Sequence, residues 1–208
     1  MEKKIQHKPT SMLNRIEQQH PFLTMLYFAM SGSGVLFLVL LSAFAKALQE
    51  ASLVNFKFPI FFIISTFVIL LSSYFAEIIK KNFQQDEAKQ LYQNLIYLLV
   101  IGVFFSVSQF IGWRELLQAK VFFSGEGSVA AGSYLYLLTG LHVLHLAGGL
   151  VFTAVQVAHY QKAAQDSVQA LIIFSNKYEK MKIQFLKNYW HFLDILWILI
   201  FAFFLVVL

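Results

Sequence analysis

The sequence predicts an all-α integral membrane bundle of five transmembrane helices. Three observations carry the prediction: the apolar content, the length of the apolar runs and the placement of the cationic residues. Of 208 residues, 58% are hydrophobic and 13% charged, which is too little polar surface to cover a soluble globule of this size. A helix crossing the roughly 30 Å hydrocarbon layer needs about 20 consecutive apolar residues. Runs of that length fall near 22–45, 58–79, 91–112, 133–157 and 188–208. A membrane β-barrel would alternate polar and apolar residues in segments of about ten, whereas Phe, Leu, Ile and Val stand here in unbroken runs.

Orientation follows from Lys and Arg, which are retained in cytoplasmic loops during insertion. Lys3, Lys4, Lys8 and Arg15 precede the first run, Lys80, Lys81 and Lys89 follow the second, and Lys162, Lys177, Lys180, Lys182 and Lys187 precede the fifth. Together these are twelve of the sixteen cations. The other side receives Lys46, Lys57, Arg114 and Lys120. The N-terminus is therefore expected in the cytoplasm and the C-terminus on the periplasmic or outer face. The net charge of +5 is spread over loops that face anionic headgroups, so it does not point to nucleic acid.

Along the chain, residues 1–20 are expected to form a polar cytoplasmic tail and 21–208 the transmembrane domain, and the first apolar run has no small-residue cleavage pattern behind it, so it is expected to stay as a helix. Ser31, Gly32, Ser33 and Gly34 give the first helix a small, packable middle. Short connections at 46–57 and 80–90 predict that helices one, two and three are sequential antiparallel neighbours. Helix two carries Ser65, Thr66, Ser72 and Ser73 as packing residues, with Glu77 able to reach the headgroups. Longer connections follow at 113–132, with the turn signal Gly125, Glu126, Gly127, Ser128, and at 158–187. In the latter, Val168, Ala170, Leu171, Ile172, Ile173 and Phe174 are too few to span a bilayer and predict a surface-lying amphipathic segment. Trp113 and Trp190 sit at predicted helix ends, where an indole anchors at the interface. There is no internal repeat, and the odd helix count disfavours an inverted-repeat transporter.

Ionisable groups inside a span call for a reason. In helix four, His142, His145, Gly149 and Gln156 fall within about 60° of one another on a 3.6-residue helix. That polar, small face should meet protein, with Gly149 allowing close approach and the imidazoles finding hydrogen-bond partners across the contact. Two histidines at this spacing could share a metal, but a closed site needs further ligands and the only other span histidine, His191, lies near a predicted helix end. No metal site is therefore assigned. In helix five, Trp190, His191, Asp194 and Trp197 fall within about 120° of one another. Asp194 would lie about 9 Å from the cytoplasmic end of the span. It is expected to accept a hydrogen bond from His191 or from a neighbouring helix, with a proton-relay role as the alternative. The chain has no cysteine, which excludes disulfides, thiolate metal sites and covalent c-type haem attachment.

At this point the residues resemble a family, subunit III of the haem–copper cytochrome c oxidases in its shorter five-helix bacterial form. The run from Tyr189 through Trp190, His191, Phe192, Leu193, Asp194, Ile195 and Leu196 to Trp197 is similar to the family's opening of its last helix. The run Thr139, Gly140, Leu141, His142, Val143, Leu144, His145, with Gly149, is similar to its Thr-Gly-Phe-His-x-x-His segment. Ser65, Thr66, Leu70, Leu71, Ser72, Ser73 and Gln109 add weaker likeness. Two carboxylates of the family pattern are missing, one where Ser31–Gly34 stand and one where Gly112 precedes Trp113, so roles tied to them do not carry over.

The resemblance implies a bacterial inner-membrane subunit with no catalytic residue and no cofactor of its own. Haem and copper would reside in partner subunits I and II of a proton-pumping respiratory oxidase, within a larger supercomplex in some members. It also implies bound phospholipid and support for proton uptake and durability of the catalytic subunit. Within the superfamily, a quinol oxidase or nitric oxide reductase subunit is the alternative. Outside it, the alternatives are a b-type haem protein using His142 or His145 and a small transporter using Asp194.

Overall fold

The computed structural model describes residues 21–50, 59–125 and 127–207. The polar tail, Lys57 in the first connection, Glu126 of the turn signal and Leu208 lie outside the described residues. Six helices make up the described chain: α1 Pro21–Glu50, α2 Ile60–Gln84, α3 Ala88–Gln118, α4 Ala130–Ala163, α5 Ser167–Ser175 and α6 Lys177–Val207. All but α5 are long and apolar enough to cross a membrane. The shortest of the five, α2, has 25 residues and at 1.5 Å per residue is about 38 Å long. Outward-facing Phe67, Leu71, Val100, Phe104, Val107, Leu144, Val151 and Val155 are exposed on the bundle surface, as a lipid-solvated protein requires.

The helices overrun the hydropathic spans at most ends. The connection expected at 80–90 shrinks to residues 85–87, where Asp86 takes a left-handed φ of 56° that an Asp tolerates better than most side chains. The connection expected at 158–187 is largely helix. Its apolar stretch is α5, capped by Asp166 accepting from the Val168 N–H at 2.8 Å. Val168, Leu171 and Ile172 are exposed, while Phe174 packs on Phe83 of α2 with ring centroids 5.2 Å apart. A single residue, Asn176, separates α5 from α6. Because α6 starts at Lys177, Trp190 and His191 are well inside it and not at a helix end. Asp194 lies about 25 Å along the helix from its start. Hydropathy missed this because the first turns of α6 are rich in Lys, Glu and Gln.

In packing order, α2 lies on α3 and α3 on α4, while α6 closes against both α2 and α4. Trp190 and Trp197 fill the space that α6 leaves toward α3: the Trp190 ring lies against Gly102 and the Trp197 ring centroid is 5.0 Å from that of Phe105. A Cβ on Gly102 would stand 2.7 Å from the Trp190 ring, so only glycine lets the indole seat there. Helix α1 packs on α4 and α6, not on α2, which corrects the expected sequential neighbours. The inward face of α2, with Phe62, Ser65, Ile69, Ser72 and Ala76 buried, is taken up by α3 and α6. The chain between α1 and α2 can reach roughly 3.3 Å per residue, enough for helix one to dock elsewhere.

Candidate functional site

Inside a lipid-solvated bundle, a polar side chain must find its partner in protein, and such partners become the joints between helices. The chain's three tryptophans follow one rule. Trp113 Nε1 donates to Thr139 Oγ1 at 2.9 Å, Trp190 Nε1 to Thr153 Oγ1 at 3.0 Å and Trp197 Nε1 to Thr66 Oγ1 at 2.9 Å. Each threonine sends its own hydrogen back to the carbonyl four residues earlier, Leu135, Gly149 and Phe62 respectively, at 2.8–2.9 Å. An indole N–H can only donate, and a back-bonded hydroxyl keeps its lone pairs free to accept. The three pairs join α3 to α4, α6 to α4 and α6 to α2. Trp190 is thus buried in a helix contact and does not serve as the interface anchor its expected position suggested.

Asp194 is buried and faces α2, where Ser72 Oγ lies 2.7 Å from Oδ1 and Ser73 Oγ bonds Oδ2. His191, one turn earlier, meets the Ser73 hydroxyl through Nδ1 at 3.1 Å and Glu77 Oε1 through Nε2 at 3.1 Å. Lys187 Nζ reaches the same Glu77 oxygen at 2.5 Å. The histidine therefore touches Asp194 only through a serine, and Glu77 is held by α6 side chains.

The histidine pair of α4 divides. His145 donates from Nδ1 to the Leu141 carbonyl at 2.8 Å, which leaves Nε2 to accept from Ser33 Oγ of α1 at 2.9 Å. Its own carbonyl accepts from Tyr189 Oη of α6 at 2.8 Å. His142 is fully buried against the rings of Phe105, 5.6 Å away, and Trp197, 5.2 Å away. Neither of its nitrogens has a hydrogen-bond partner among the described residues, which departs from the expectation that both imidazoles would be bonded across the contact. One ring turns to α1 and the other to the aromatic centre, so the two do not converge. No group of three His, Cys, Asp or Glu among the described residues is placed to hold a metal ion. Gly149 seats the Tyr189 ring, whose nearest carbon would be 3.1 Å from a Cβ there, and Gln156 is buried on the same face.

Sequence reasoning missed several participants. Thr153 and Tyr160 stand 11 and 18 residues after His142, on the same face of a 3.6-residue helix, so the periodicity that found Gln156 could have found them. Glu179 is buried and bonded by Lys182 at 2.8 Å, His159 at 3.3 Å and Tyr160 Oη at 3.2 Å. No signal marked it, because its segment read as a connection.

Fold and site together define a class: an all-helical, multi-pass membrane protein whose interior polar groups tie its helices together. No protein-family model matches the sequence. Among curated proteins, the chain is 28% identical over 150 residues to "Probable quinol oxidase subunit 3" of Staphylococcus aureus strain USA300, covering 71% of this chain and 66% of that protein. It is 26% identical over 140 residues to "Probable cytochrome c oxidase subunit 3" of Mycobacterium bovis, covering 66% of this chain and 61% of the relative. The matched region thus spans about two thirds of each relative's length. The two motif segments on α4 and α6 thus stand in a chain whose curated relatives are named as subunit 3 of a quinol oxidase and of a cytochrome c oxidase.

Proposed function

We propose that the chain is a non-catalytic subunit III of a proton-pumping respiratory haem–copper terminal oxidase. It sits in the bacterial inner membrane with the N-terminus cytoplasmic, beside a catalytic subunit I and a subunit II that hold the haem and copper. It stabilises the catalytic subunit, retains phospholipid at its surface and supports proton uptake. One observation supports this reading above the others. The family's two most specific segments, around His142 and around Asp194, face each other across α4 and α6 and spend most of their polar atoms on helix joints. The cations Lys80, Lys81, Lys89, Lys162, Lys177 and Lys180 gather at the end of the bundle where α2 and α4 stop and α3 and α6 start, which fits a cytoplasmic face there.

Purification of the tagged chain in a mild detergent, with identification of co-purifying proteins, tests the assignment. Recovery of a haem–copper catalytic subunit in equal amount is the expected result, and a chain that comes away alone from intact membranes would contradict it. The second reading, a quinol oxidase subunit, is favoured by the S. aureus relatives, which are named as quinol oxidase subunits. Oxidation of reduced cytochrome c against oxidation of a quinol by the purified complex separates the two.

A further inference from the structure

Asp194 sits at the inner end of an unbroken hydrogen-bonded chain that starts at the surface. Glu77 is exposed, with 54% of its side chain accessible, and holds His191 Nε2 at 3.1 Å. His191 Nδ1 is 3.1 Å from Ser73 Oγ, and Ser73 bonds Asp194, which is 2% exposed. We propose that Asp194 is a reversible proton-binding site, loaded from the imidazole of His191 through the hydroxyl of Ser73. The inference concerns this chain alone and stands whether or not the oxidase reading does.

In the ionic state, the His191 imidazolium donates from Nε2 to Glu77 and from Nδ1 to Ser73, while Ser73 donates to the Asp194 carboxylate. In the loading step the Nδ1 proton bonds to Ser73 Oγ as the serine's own hydrogen passes to Asp194 Oδ2. One proton has moved, and the imidazolium and carboxylate pair has become neutral imidazole and carboxylic acid. The new Asp194 O–H donates to Ser73 Oγ, the serine donates to Nδ1, and Nε2–H still donates to Glu77. Every hydrogen has an acceptor in both states, so neither state buries an unpaired polar group.

Ser72 serves the other carboxylate oxygen. Its single hydrogen has two acceptors within reach, Asp194 Oδ1 at 2.7 Å and the Ile69 carbonyl at 2.6 Å. Because the proton is carried on Oδ2, Oδ1 remains an acceptor in both states, and Ser72 can donate to it throughout.

The charged and titratable groups facing this chain are Glu77 from α2 and Lys187 and His191 from α6. His142 of α4 lies a turn further on, against Trp197. From α3, Gly102 and Phe105 are the residues set against the neighbouring indoles. Beyond Asp194 the rings of Phe62 and Phe105 pack on Trp197 with centroids 5.9 and 5.0 Å apart, and the hydrogen-bonded chain from Glu77 ends at Asp194 and Ser72.

The test is infrared difference spectroscopy of the full chain in lipid nanodiscs, following the carbonyl stretch of a protonated carboxyl after a drop in pH and after transfer to heavy water. The account expects a band that is lost in Asp194→Asn. Its rise should slow on the order of a hundredfold in Ser73→Ala, the lower range of what a positioned proton-transfer group contributes. Ser73→Thr, which restores the hydroxyl, should recover the wild-type rate, and Ser72→Ala should leave it close to wild type. A band that persists in Asp194→Asn, no such band in the wild type, or equal rates in Ser73→Ala and wild type would each overturn the proposal.

Discussion

Helices α1 and α6 are both long and apolar, yet they are held very differently. In its apolar window, α6 buries 39% of its residues and α1 only 17%. Two Trp–Thr bonds, the Asp194–serine pair and the Tyr189 hydroxyl tie α6 to α2 and α4. Polar ties to α1 are Ser33 with His145 and Tyr27 with Asn188, supplemented by Phe37 and Phe44 against His145 and Phe204. Lipid is as apolar as leucine, so burying apolar area does little to hold helices together there. Close packing and polar pairs do it instead. The difference between the two helices is therefore one of polar pairs and close contacts made, not of hydrophobicity, which is equal in the two, nor of small residues, since a Cβ at Gly32 or Gly34 of α1 would meet nothing within 4 Å.

Breaking the α6 joint at its centre should give the largest effect. Trp197→Ala removes a buried indole packed on Phe62, Phe105 and His142, and is expected to cost about 3–5 kcal/mol in reversible unfolding from mixed micelles. Next in size, Gly102→Ala places a Cβ 2.6 Å from Leu150 and 2.7 Å from the Trp190 ring, with an expected cost of about 1–3 kcal/mol from overpacking. Trp197→Phe retains the ring but removes the bond to Thr66, and Ser33→Ala removes the bond from α1 to His145. Each should cost about 0.6 kcal/mol, an average interhelical hydrogen bond in lipid. At the bottom, Gly34→Ala meets nothing within 4 Å and should leave the unfolding midpoint unchanged or slightly raised, because alanine is the better helix former by about 1 kcal/mol. Equal losses in Gly102→Ala and Gly34→Ala would dissolve the contrast between the two helices.

Much of this was legible in the residues. Unbroken apolar runs place five helices because lipid leaves the backbone few other choices. The polar faces of His142–Gln156 and Trp190–Trp197 follow from a 3.6-residue period. What the sequence hid was partnership. Periodicity says that Asp194 and Ser72 each face inward, not that they face each other. It says that Trp190 is polar at one end, not that Thr153 receives it. The start of α6 was hidden because charged turns outside the apolar run read as loop. The seat of α1 was hidden because short connections suggest neighbours without requiring them.

Under the proposed function, the chain steadies an oxidase and holds none of its redox centres. The most direct test is to strip the chain from the purified complex with detergent and measure haem in both fractions. The account predicts that all the haem stays with the catalytic subunit and that its visible spectrum is unchanged by His142→Ala in this chain. Haem that leaves with the chain in equal amount, and is lost in His142→Ala, would contradict it.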